Sequence, residues 1–214
     1  MAKYVVDSAS LTSVADAIRE KTGKTGTLTL DQMAEEISGI SQGNPDENLE
    51  LLVRRELTDE YTNNNLVQIY KAYSFTEQKF VTVSMPNLEE IRSYGAFSQC
   101  KQLKNANFPK LNQIWGRAFS FSSALEKLDF PLLTQIRGDG NFRNCTSLTA
   151  LIIRSSNVCT LTDADNFLST PIASGTGYIY VPAALADSYR SATNWATYSS
   201  QIRAIEDYPE ITGG

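Results

Sequence analysis

The chain of 214 residues contains no histidine, and this absence removes the chemistry that most hydrolases share. Without imidazole there is no Ser-His-Asp or Cys-His dyad, no histidine-ligated zinc, and no side chain that ordinarily titrates near neutral pH. Only three cysteines are present, Cys100, Cys145 and Cys159, and none belongs to a Cys-x-x-Cys pair. We therefore expect buried, reduced thiols rather than a zinc site or a disulfide framework.

Long apolar runs are also missing. No stretch approaches the roughly 18 consecutive apolar residues of a membrane span, and the short apolar start at Val5 and Val6 is far from a signal-peptide core. We expect no membrane insertion and no export, and synthesis and folding in the cytoplasm. With 24 acidic and 19 basic residues, a net charge of −5 and no block of like charge, nucleic-acid binding is not predicted either.

Catalytic side chains do not cluster in the sequence. Neighbouring carboxylates such as Glu89 and Glu90 are expected on solvated turns rather than as a glycosidase pair. Asp163, Asp165 and Asn166 lack the full pattern of a calcium loop. Because no nucleophile–base pair, phosphate loop or metal cluster is found, we predict a protein that is not an enzyme and needs no metal or cofactor.

Residues 1–42 have the pattern of a small helical hairpin. Leu11, Val14 and Ile18 recur at spacings of three and four, two glycines follow, and a capping box begins a second helix. Such a hairpin is too small to be stable alone, so its apolar stripes must close on each other, on the next domain or on another chain. We assign residues 1–42 to docking and oligomerisation, and residues 43–64 to a linker and N-terminal cap.

Residues 65–181 contain an internal repeat. Isoleucines recur 22, 23 and 22 residues apart, each three residues after a leucine, and a phenylalanine follows five or six residues later. Apolar columns in register at this period are typical of a leucine-rich repeat solenoid, whose units stack about 4.8 Å apart around one continuous core. The columns are Leu66, Leu88, Leu111 and Leu133; Ile69, Ile91, Ile114 and Ile136; and Phe75, Phe97, Phe119 and Phe142.

A fifth, degenerate unit and a closing segment follow the four regular units. Leu161 and Phe167 have the spacing of the repeat, and Pro182 is placed to be the first residue of a helix. Since a solenoid has an open end that needs covering, we interpret residues 182–208 as a helical C-terminal cap, with a tail to residue 214. The predicted fold class is an α+β repeat solenoid with a helical hairpin before it and a helical cap after it.

Two parts of the sequence resemble known families. GAFSQCKQL at residues 95–103 and NFRNCTSL at residues 141–148 resemble the core of BspA-type leucine-rich repeats, and residues 178–198 resemble the tail that closes such arrays. Residues 4–37 are similar to the first segment of phage and prophage tail or baseplate proteins of Gram-positive gut bacteria. BspA-type adhesins carry an export signal and an anchor, which are not seen here, whereas a virion protein assembles in the host cytoplasm and needs neither.

The two resemblances together imply a phage tail or baseplate protein. It would dock on other virion proteins through residues 1–42, form a homo-oligomer, and present its solenoid to a host-surface glycan or protein. Two alternatives stay open. One is head decoration or another purely structural virion role, and the other is a bacterial surface adhesin or interaction module.

One candidate binding surface is a row of residues that each directly follow a ladder isoleucine. The row consists of Tyr70, Arg92, Trp115 and Arg137. These side chains are expected to project in one line about 5 Å apart, an alternation of aromatic and guanidinium groups that suits cation–π stacking. Aromatic rings flanked by polar groups are also typical of sugar-binding sites. The row is therefore either a ligand contact or a stabilising surface ladder.

A second candidate surface is the outward face of the L-x-x-L-x-L strands. Asn105, Asn107, Lys127 and Asp129 are its candidate binding residues, and the same face includes Thr82, Ser84, Ala150 and Ile152. The polar groups either contact a carbohydrate or protein partner or form ordinary solvated sheet surface. Ile152 would be exposed apolar area, which predicts contact with the C-terminal segment or another subunit.

Overall fold

The computed structural model describes residues 60–213. The predicted hairpin of residues 1–42 and residues 43–59 of the predicted linker lie outside this range, as does residue 214. The domain boundaries therefore stay predictions. Within the described range the chain forms short strands joined by turns. The strands are β1 (Glu60–Thr62), β2 (Gln68–Ile69), β3 (Thr82–Ser84), β4 (Glu90–Ile91), β5 (Asn105–Asn107), β6 (Gln113–Trp115), β7 (Lys127–Phe130), β8 (Gln135–Arg137), β9 (Ala150–Ile153), β10 (Thr160–Leu161), β11 (Tyr178–Val181) and β12 (Ile202–Ala204).

The strands pair in parallel and alternate between two faces of the repeat. Five strands form one sheet in the order β10-β8-β6-β4-β2, which we call the even-numbered sheet. The odd-numbered strands form two further sheets, β1-β3-β5 and β12-β11-β9-β7, and the second of these also contains β12. Among the described strands no ladder joins β5 to β7, although the two are neighbours. The interruption falls where β5 has asparagines at both ends, a residue that is depleted in strands.

The isoleucine column predicted from the sequence is confirmed as the core of the even-numbered sheet. Ile69 pairs with Ile91, Ile91 with Ile114, and Ile114 with Ile136, and all four side chains are buried. Leu161 of β10 continues the column beside Ile136. Stacking thus removes from water the apolar groups that a single unit leaves exposed, as expected for a leucine-rich repeat.

A column of aromatic rings runs between the two faces. Phe75, Phe97, Phe119, Phe142 and Phe167 are buried and stack with successive centroid distances of 5.0, 5.5, 6.0 and 5.2 Å and interplanar angles of 5–13°. Tyr61 begins the column 5.6 Å from Phe75, and Trp195 ends it 6.1 Å from Phe167. These spacings lie in the range in which aromatic pairs add stability beyond burial.

Three buried side chains at the same position of successive units each donate a hydrogen bond to a phenylalanine carbonyl. Cys100 Sγ donates to Phe75 O at 3.0 Å, Ser122 Oγ to Phe97 O at 2.8 Å, and Cys145 Sγ to Phe119 O at 3.0 Å. Each carbonyl belongs to the unit before the donor. The cysteines are free thiols, so they act as small buried residues that also satisfy a backbone acceptor.

Burial makes the thiols poor nucleophiles. Desolvation raises the pKa of Cys100, Cys145 and Cys159 from 9.0 to about 12 in each case. We expect the native protein to be unreactive toward a disulfide-exchange reagent at pH 8, and all three thiols to react after unfolding in urea. Rapid modification of any thiol in the native protein would contradict this burial.

The same raised pKa values predict a loss of stability in alkali. The thiols of the unfolded chain ionise above about pH 9, whereas those of the folded protein stay protonated to about pH 12. The free energy of unfolding should therefore fall as the pH rises above 9, since the unfolded state then binds fewer protons. A urea titration at pH 8 and pH 10 measures the difference.

The C-terminal part of the described range contains the helices. They are α1 (Pro171–Ser174), α2 (Ala186–Ser191) and α3 (Pro209–Thr212), with 3-10 turns at Ala164–Phe167, Ala183–Leu185, Trp195–Gln201 and Ile205–Asp207. Pro182 was expected to be the first residue of a helix. It lies just before the 3-10 turn Ala183–Leu185 instead, because its ψ of 136° is that of extended chain. Strand β12, which pairs with β11, lies within residues 182–208, which were expected to form a helical cap. No helix among residues 60–213 is long and apolar enough to cross a membrane.

Two outward residues of β9 are not solvated as the strand alternation predicted. Ala150 and Ile152 form a buried cluster with Tyr180, and four residues pack over it, Tyr178, Ile205, Tyr208 and Ile211. Both residues are buried because the chain beyond β12 returns across this sheet. The expected contact between Ile152 and the C-terminal segment is confirmed.

Candidate functional site

The predicted surface row lies at the carboxyl ends of strands β2, β4, β6 and β8, and three of its four members form one stack. Trp115 pairs with Arg137 in register, and the Arg137 guanidinium lies 5.2 Å from the indole centroid. Arg92, one unit earlier, lies 6.0 Å from the same centroid. Tyr70 stands apart from the stack, half exposed, with its hydroxyl bonded to Gln68. We call Arg92, Trp115 and Arg137 the Arg–Trp–Arg stack.

The stack leaves little of the indole face for a ligand. Arg92 and Arg137 come from the units before and after Trp115, so their guanidinium groups cover opposite sides of the ring. A sugar ring would have to displace an arginine to stack on Trp115. The exposed guanidinium groups are therefore the parts that face a ligand.

The two arginines of the stack differ in their charge partners. Glu90, expected on a solvated turn, is instead a mostly buried residue of β4. Arg92 Nε lies 2.7 Å from Glu90 Oε2, and Gln68 Nε2 donates to the same oxygen at 2.7 Å. Arg137 Nε donates to the neutral Gln135 Oε1 at 2.5 Å and belongs to no ion pair within residues 60–213.

A cleft of about 240 Å³ opens beside the stack. Besides the stack itself, Ser93, Tyr94, Gly116, Gly138 and Asp139 line it. Sequence reasoning missed these residues, although a signal was present. Ser93, Gly116 and Gly138 each directly follow a member of the stack, and such a column of small residues leaves a groove next to a row of large ones. We call this feature the stack cleft.

A second row of side chains contacts Tyr94 and Asp139, two of the residues that line the stack cleft. Tyr73 and Tyr94 meet edge to face at 5.7 Å, and the Arg117 guanidinium lies 5.3 Å from the Tyr94 ring. Arg117 Nη2 also pairs with Asp139 Oδ2 at 2.9 Å. This hydrogen bond lowers the pKa of Asp139, so the carboxylate stays ionised at neutral pH.

Two polar atoms beside the stack cleft have no hydrogen-bond partner in the part of the chain that the structure describes. They are Ser93 Oγ and Trp115 Nε1, and both are buried. Ser93 is 4% exposed. An unsatisfied buried donor costs on the order of 1–3 kcal/mol, so such atoms are uncommon in folded proteins.

The candidate strand face is divided between two environments. Asn105 and Asn107 of β5 are exposed, and Asn107 Nδ2 donates to Ser84 Oγ at 3.1 Å. Lys127 and Asp129 of β7 hold the C-terminal segment instead. Lys127 Nζ donates to Ile211 O at 2.9 Å, and Asp129 pairs at 2.7 Å with Arg154, which also donates to Thr212 O.

The parallel strands, the 22- to 23-residue unit and the buried apolar columns define a leucine-rich repeat solenoid. Comparison with family models identifies which kind. A model described as BspA type leucine rich repeat region (6 copies) matches residues 68–178, more than half of the chain. The chain therefore belongs to the BspA-type leucine-rich repeat family, in agreement with the resemblance of residues 95–103 and 141–148.

A solved structure supports the fold. A leucine rich cell surface protein from Faecalibacterium prausnitzii A2-165 is similar with a TM-score of 0.51 and 22% sequence identity. The match covers 66% of this chain and 35% of that protein, so the chain spans about a third of its length. The comparison with curated proteins returned no match.

Proposed function

We propose that this protein is a non-enzymatic binding module that recognises a glycan or protein on a bacterial cell surface through the stack cleft. The observation that carries the proposal is that three members of the predicted surface row line one cleft. Membership of the BspA-type family and similarity to a cell surface protein support an interaction role. Tyr70 lies one unit before Arg92 in the same row, and its half-exposed side chain is a further candidate contact.

The chemistry of the stack cleft favours binding over catalysis. Asp139 is the carboxylate among its lining residues, and its lowered pKa leaves it without a proton to donate near neutral pH. A glycosidase needs a second carboxylate across the bond that breaks. The thiols are buried and protonated, so they do not supply a nucleophile.

Binding of labelled full-length protein to intact Gram-positive gut bacteria tests the proposal. We expect saturable binding, and a loss of about tenfold or more in a Trp115→Ala/Arg137→Ala double variant, since central aromatic and arginine residues dominate such contacts. An Asn105→Ala/Asn107→Ala variant is the control on the other face and should bind normally. Circular dichroism checks that both variants fold.

The outcomes separate the two candidate surfaces. Loss of binding in the asparagine variant alone would move the site to the strand face and overturn the stack cleft. Absence of binding by the unmodified protein would remove the surface-recognition proposal altogether.

The setting in which the module works is a further part of the proposal. The resemblance of residues 4–37 to phage tail segments favours a virion protein that docks on other virion proteins through residues 1–42. Similarity to a cell surface protein favours the alternative, a bacterial adhesin or interaction module. Detection of the protein in purified phage particles, as against the bacterial envelope, distinguishes the two.

Oligomerisation through residues 1–42 gives a separate prediction. Val14→Glu places a charge in the predicted apolar stripe, and we expect it to convert an oligomer into a monomer, since burying an unpaired carboxylate is costly. Light scattering with size-exclusion chromatography measures the mass. Ser13→Glu is the matched control, because Ser13 lies outside the stripe. A monomeric unmodified protein, or an oligomer that survives Val14→Glu, would contradict this role.

We also propose that residues 182–213 act as the C-terminal cap of the solenoid. Trp195 and Tyr198 pack on Phe167, the last phenylalanine of the column, at 6.1 and 5.1 Å. The Trp195 indole N–H and the Tyr189 hydroxyl bond to backbone groups of Cys159. These contacts cover the end of the core that a further repeat would otherwise occupy.

A further inference from the structure

The stack cleft holds more hydrogen-bond donors than acceptors. Trp115 Nε1–H and the Arg137 guanidinium can only donate, and the Ser93 hydroxyl has no partner of its own. Asp139, the acceptor of the cleft, is already used by Arg117. A ligand that satisfies the free donors must therefore bring acceptor oxygens.

The local charge favours an anion over a neutral group. The charges of Arg92 and Glu90 cancel, as do those of Arg117 and Asp139. Among residues 60–213, Arg137 is left as a positive charge that pairs with no carboxylate. A carboxylate or phosphate would gain a charge-assisted, bidentate contact with this guanidinium.

The walls set the size of the ligand. A Cβ at Gly116 would lie 3.0 Å from the Tyr94 ring, and one at Gly138 would lie 3.2 Å from the backbone of Gly116. The groove exists because these two residues have no side chains. A volume of about 240 Å³ is below the usual range for drug-sized ligands, and it suits one small polar unit.

Arg137 is the side chain of the cleft that is placed to move toward a ligand. It is exposed and covers one side of Trp115, with Gln135 as its hydrogen-bond partner. Rotation of this side chain toward an anion would uncover that side of the indole ring at the same time. Tyr94, 39% exposed, offers an apolar ring beside the cleft for the carbon skeleton of the ligand.

We propose that the stack cleft binds the oxyanion of an acidic sugar, either the carboxylate of a uronic acid or the phosphate of a sugar phosphate. Arg137 provides the charged contact, Trp115 Nε1–H and the Ser93 hydroxyl complete the hydrogen bonds, and Tyr94 packs against the sugar ring. This inference rests on the proposed surface-recognition function and names the class of ligand.

The protein carries its own reporter for this contact. It has two tryptophans, so a ¹H–¹⁵N spectrum contains two indole N–H signals. Trp195 Nε1 already donates to Cys159 O, whereas Trp115 Nε1 has no acceptor. We expect titration of the full-length protein with glucuronate or glucose 6-phosphate to move the Trp115 signal downfield, with the Trp195 signal fixed. Trp115→Phe assigns the signals by deleting one.

Matched probes separate charge from sugar. Glucose at the same concentrations should leave the Trp115 signal in place. Acetate and inorganic phosphate should bind at least about tenfold more weakly than the corresponding acidic sugars, because they lack the ring that contacts Tyr94. A response to glucuronate alone, or to glucose 6-phosphate alone, identifies which oxyanion the cleft takes.

Matched variants test the role of Arg137. Arg137→Gln should weaken glucuronate binding by about tenfold or more, because it removes the charged donor. Arg190→Gln removes an exposed arginine of α2 that pairs with Asp187, and it should leave the affinity unchanged. Arg137→Lys should restore part of the loss, since it keeps the charge without the bidentate geometry.

The outcomes distinguish this inference from the function on which it rests. Equal responses to glucose and glucuronate, or an unchanged affinity in Arg137→Gln, would overturn the oxyanion inference. Free phosphate binding as tightly as the sugar phosphate would overturn its sugar part. If no probe moves the Trp115 signal while cell binding still fails in the Trp115→Ala/Arg137→Ala variant, the ligand class is wrong and surface recognition stands. If no probe moves the Trp115 signal and the double variant still binds cells normally, both the ligand class and recognition through the stack cleft are wrong.

Discussion

Replacing Phe119 with alanine is expected to lower the free energy of unfolding by about 3–5 kcal/mol. The Phe119 ring is fully buried and stacks on Phe97 and Phe142, with a third contact at 6.3 Å to Phe108. Its removal leaves a cavity in the middle of the aromatic column. Because the neighbouring rings are held by their own units, the column cannot collapse to fill the gap.

Phe121 is a control for Phe119 in the same turn. It is 46% exposed, so Phe121→Ala removes the same side chain with about half the loss of burial. We expect a smaller cost of about 1 kcal/mol. Urea unfolding followed by circular dichroism compares the two variants. Equal destabilisation would show that the aromatic column is not the centre of the core.

The second large effect is expected at Asn141, a fully buried side chain that ties three turns together. Its Oδ1 accepts from Ala118 N at 3.2 Å, and its Nδ2 donates to Arg137 O and to Asn166 Oδ1, both at 2.8 Å. Asn141→Leu keeps the size and removes all three bonds. It leaves the Ala118 N–H without a partner, whereas Arg137 O and Asn166 Oδ1 each keep one other hydrogen bond.

We expect Asn141→Leu to cost about 2–4 kcal/mol, from one orphaned donor and two lost hydrogen bonds. Asn105→Leu is the matched control, because Asn105 is exposed and its one side-chain hydrogen bond, to Thr82, is 3.5 Å long. Its effect should stay within about 0.5 kcal/mol. Thermal unfolding ranks the variants. If Asn141→Leu unfolds like Asn105→Leu, the turn does not depend on this side chain.

The same substitution should also reach the stack cleft. Arg137 O is one of the atoms that Asn141 holds, and Gly138 O is held in turn by Asn166 Nδ2 at 3.0 Å. Two buried asparagines thus fix the turn from which the Arg137 side chain projects. A positioning role predicts weaker sugar-acid binding in Asn141→Leu even at temperatures where the variant is folded.

The core was predictable because its pattern is local and repeated. The spacing of Ile91, Ile114 and Ile136 fixes which residues stack, and parallel pairing then follows from repeat units of 22 or 23 residues. Glu90 was predictable in principle, since it directly precedes Ile91 and must face Gln68 once the units are in register. The neighbours of Glu90 in the sequence suggested a solvated turn, but its pairing with Gln68 across the sheet leaves it mostly buried.

The surroundings of β9 were not predictable in the same way. Alternation correctly places Ala150 and Ile152 on the outer face, but their burial depends on Ile205, Tyr208 and Ile211. Those residues come more than 50 positions later in the sequence, outside the repeat. No periodicity links them to β9, so the pattern leaves that part of the sheet open.

The candidate site was predictable in part. Spacing alone places Arg92, Trp115 and Arg137 in one line, and the structure brings them into contact. The cleft beside them depends on missing side chains at Gly116 and Gly138 and on donors without partners, which a sequence does not display. Binding by the whole surface row and by the strand-face residues stays a prediction.

The stacking of each repeat unit on its neighbours bears on how the gene can change in length. Tandem duplication of about 22 codons would add one phenylalanine to the column and keep every internal surface covered. Between Arg92 and Arg137, however, an added unit would separate a guanidinium from the indole it contacts. We therefore expect repeat number to vary more freely on either side of these three units than within them.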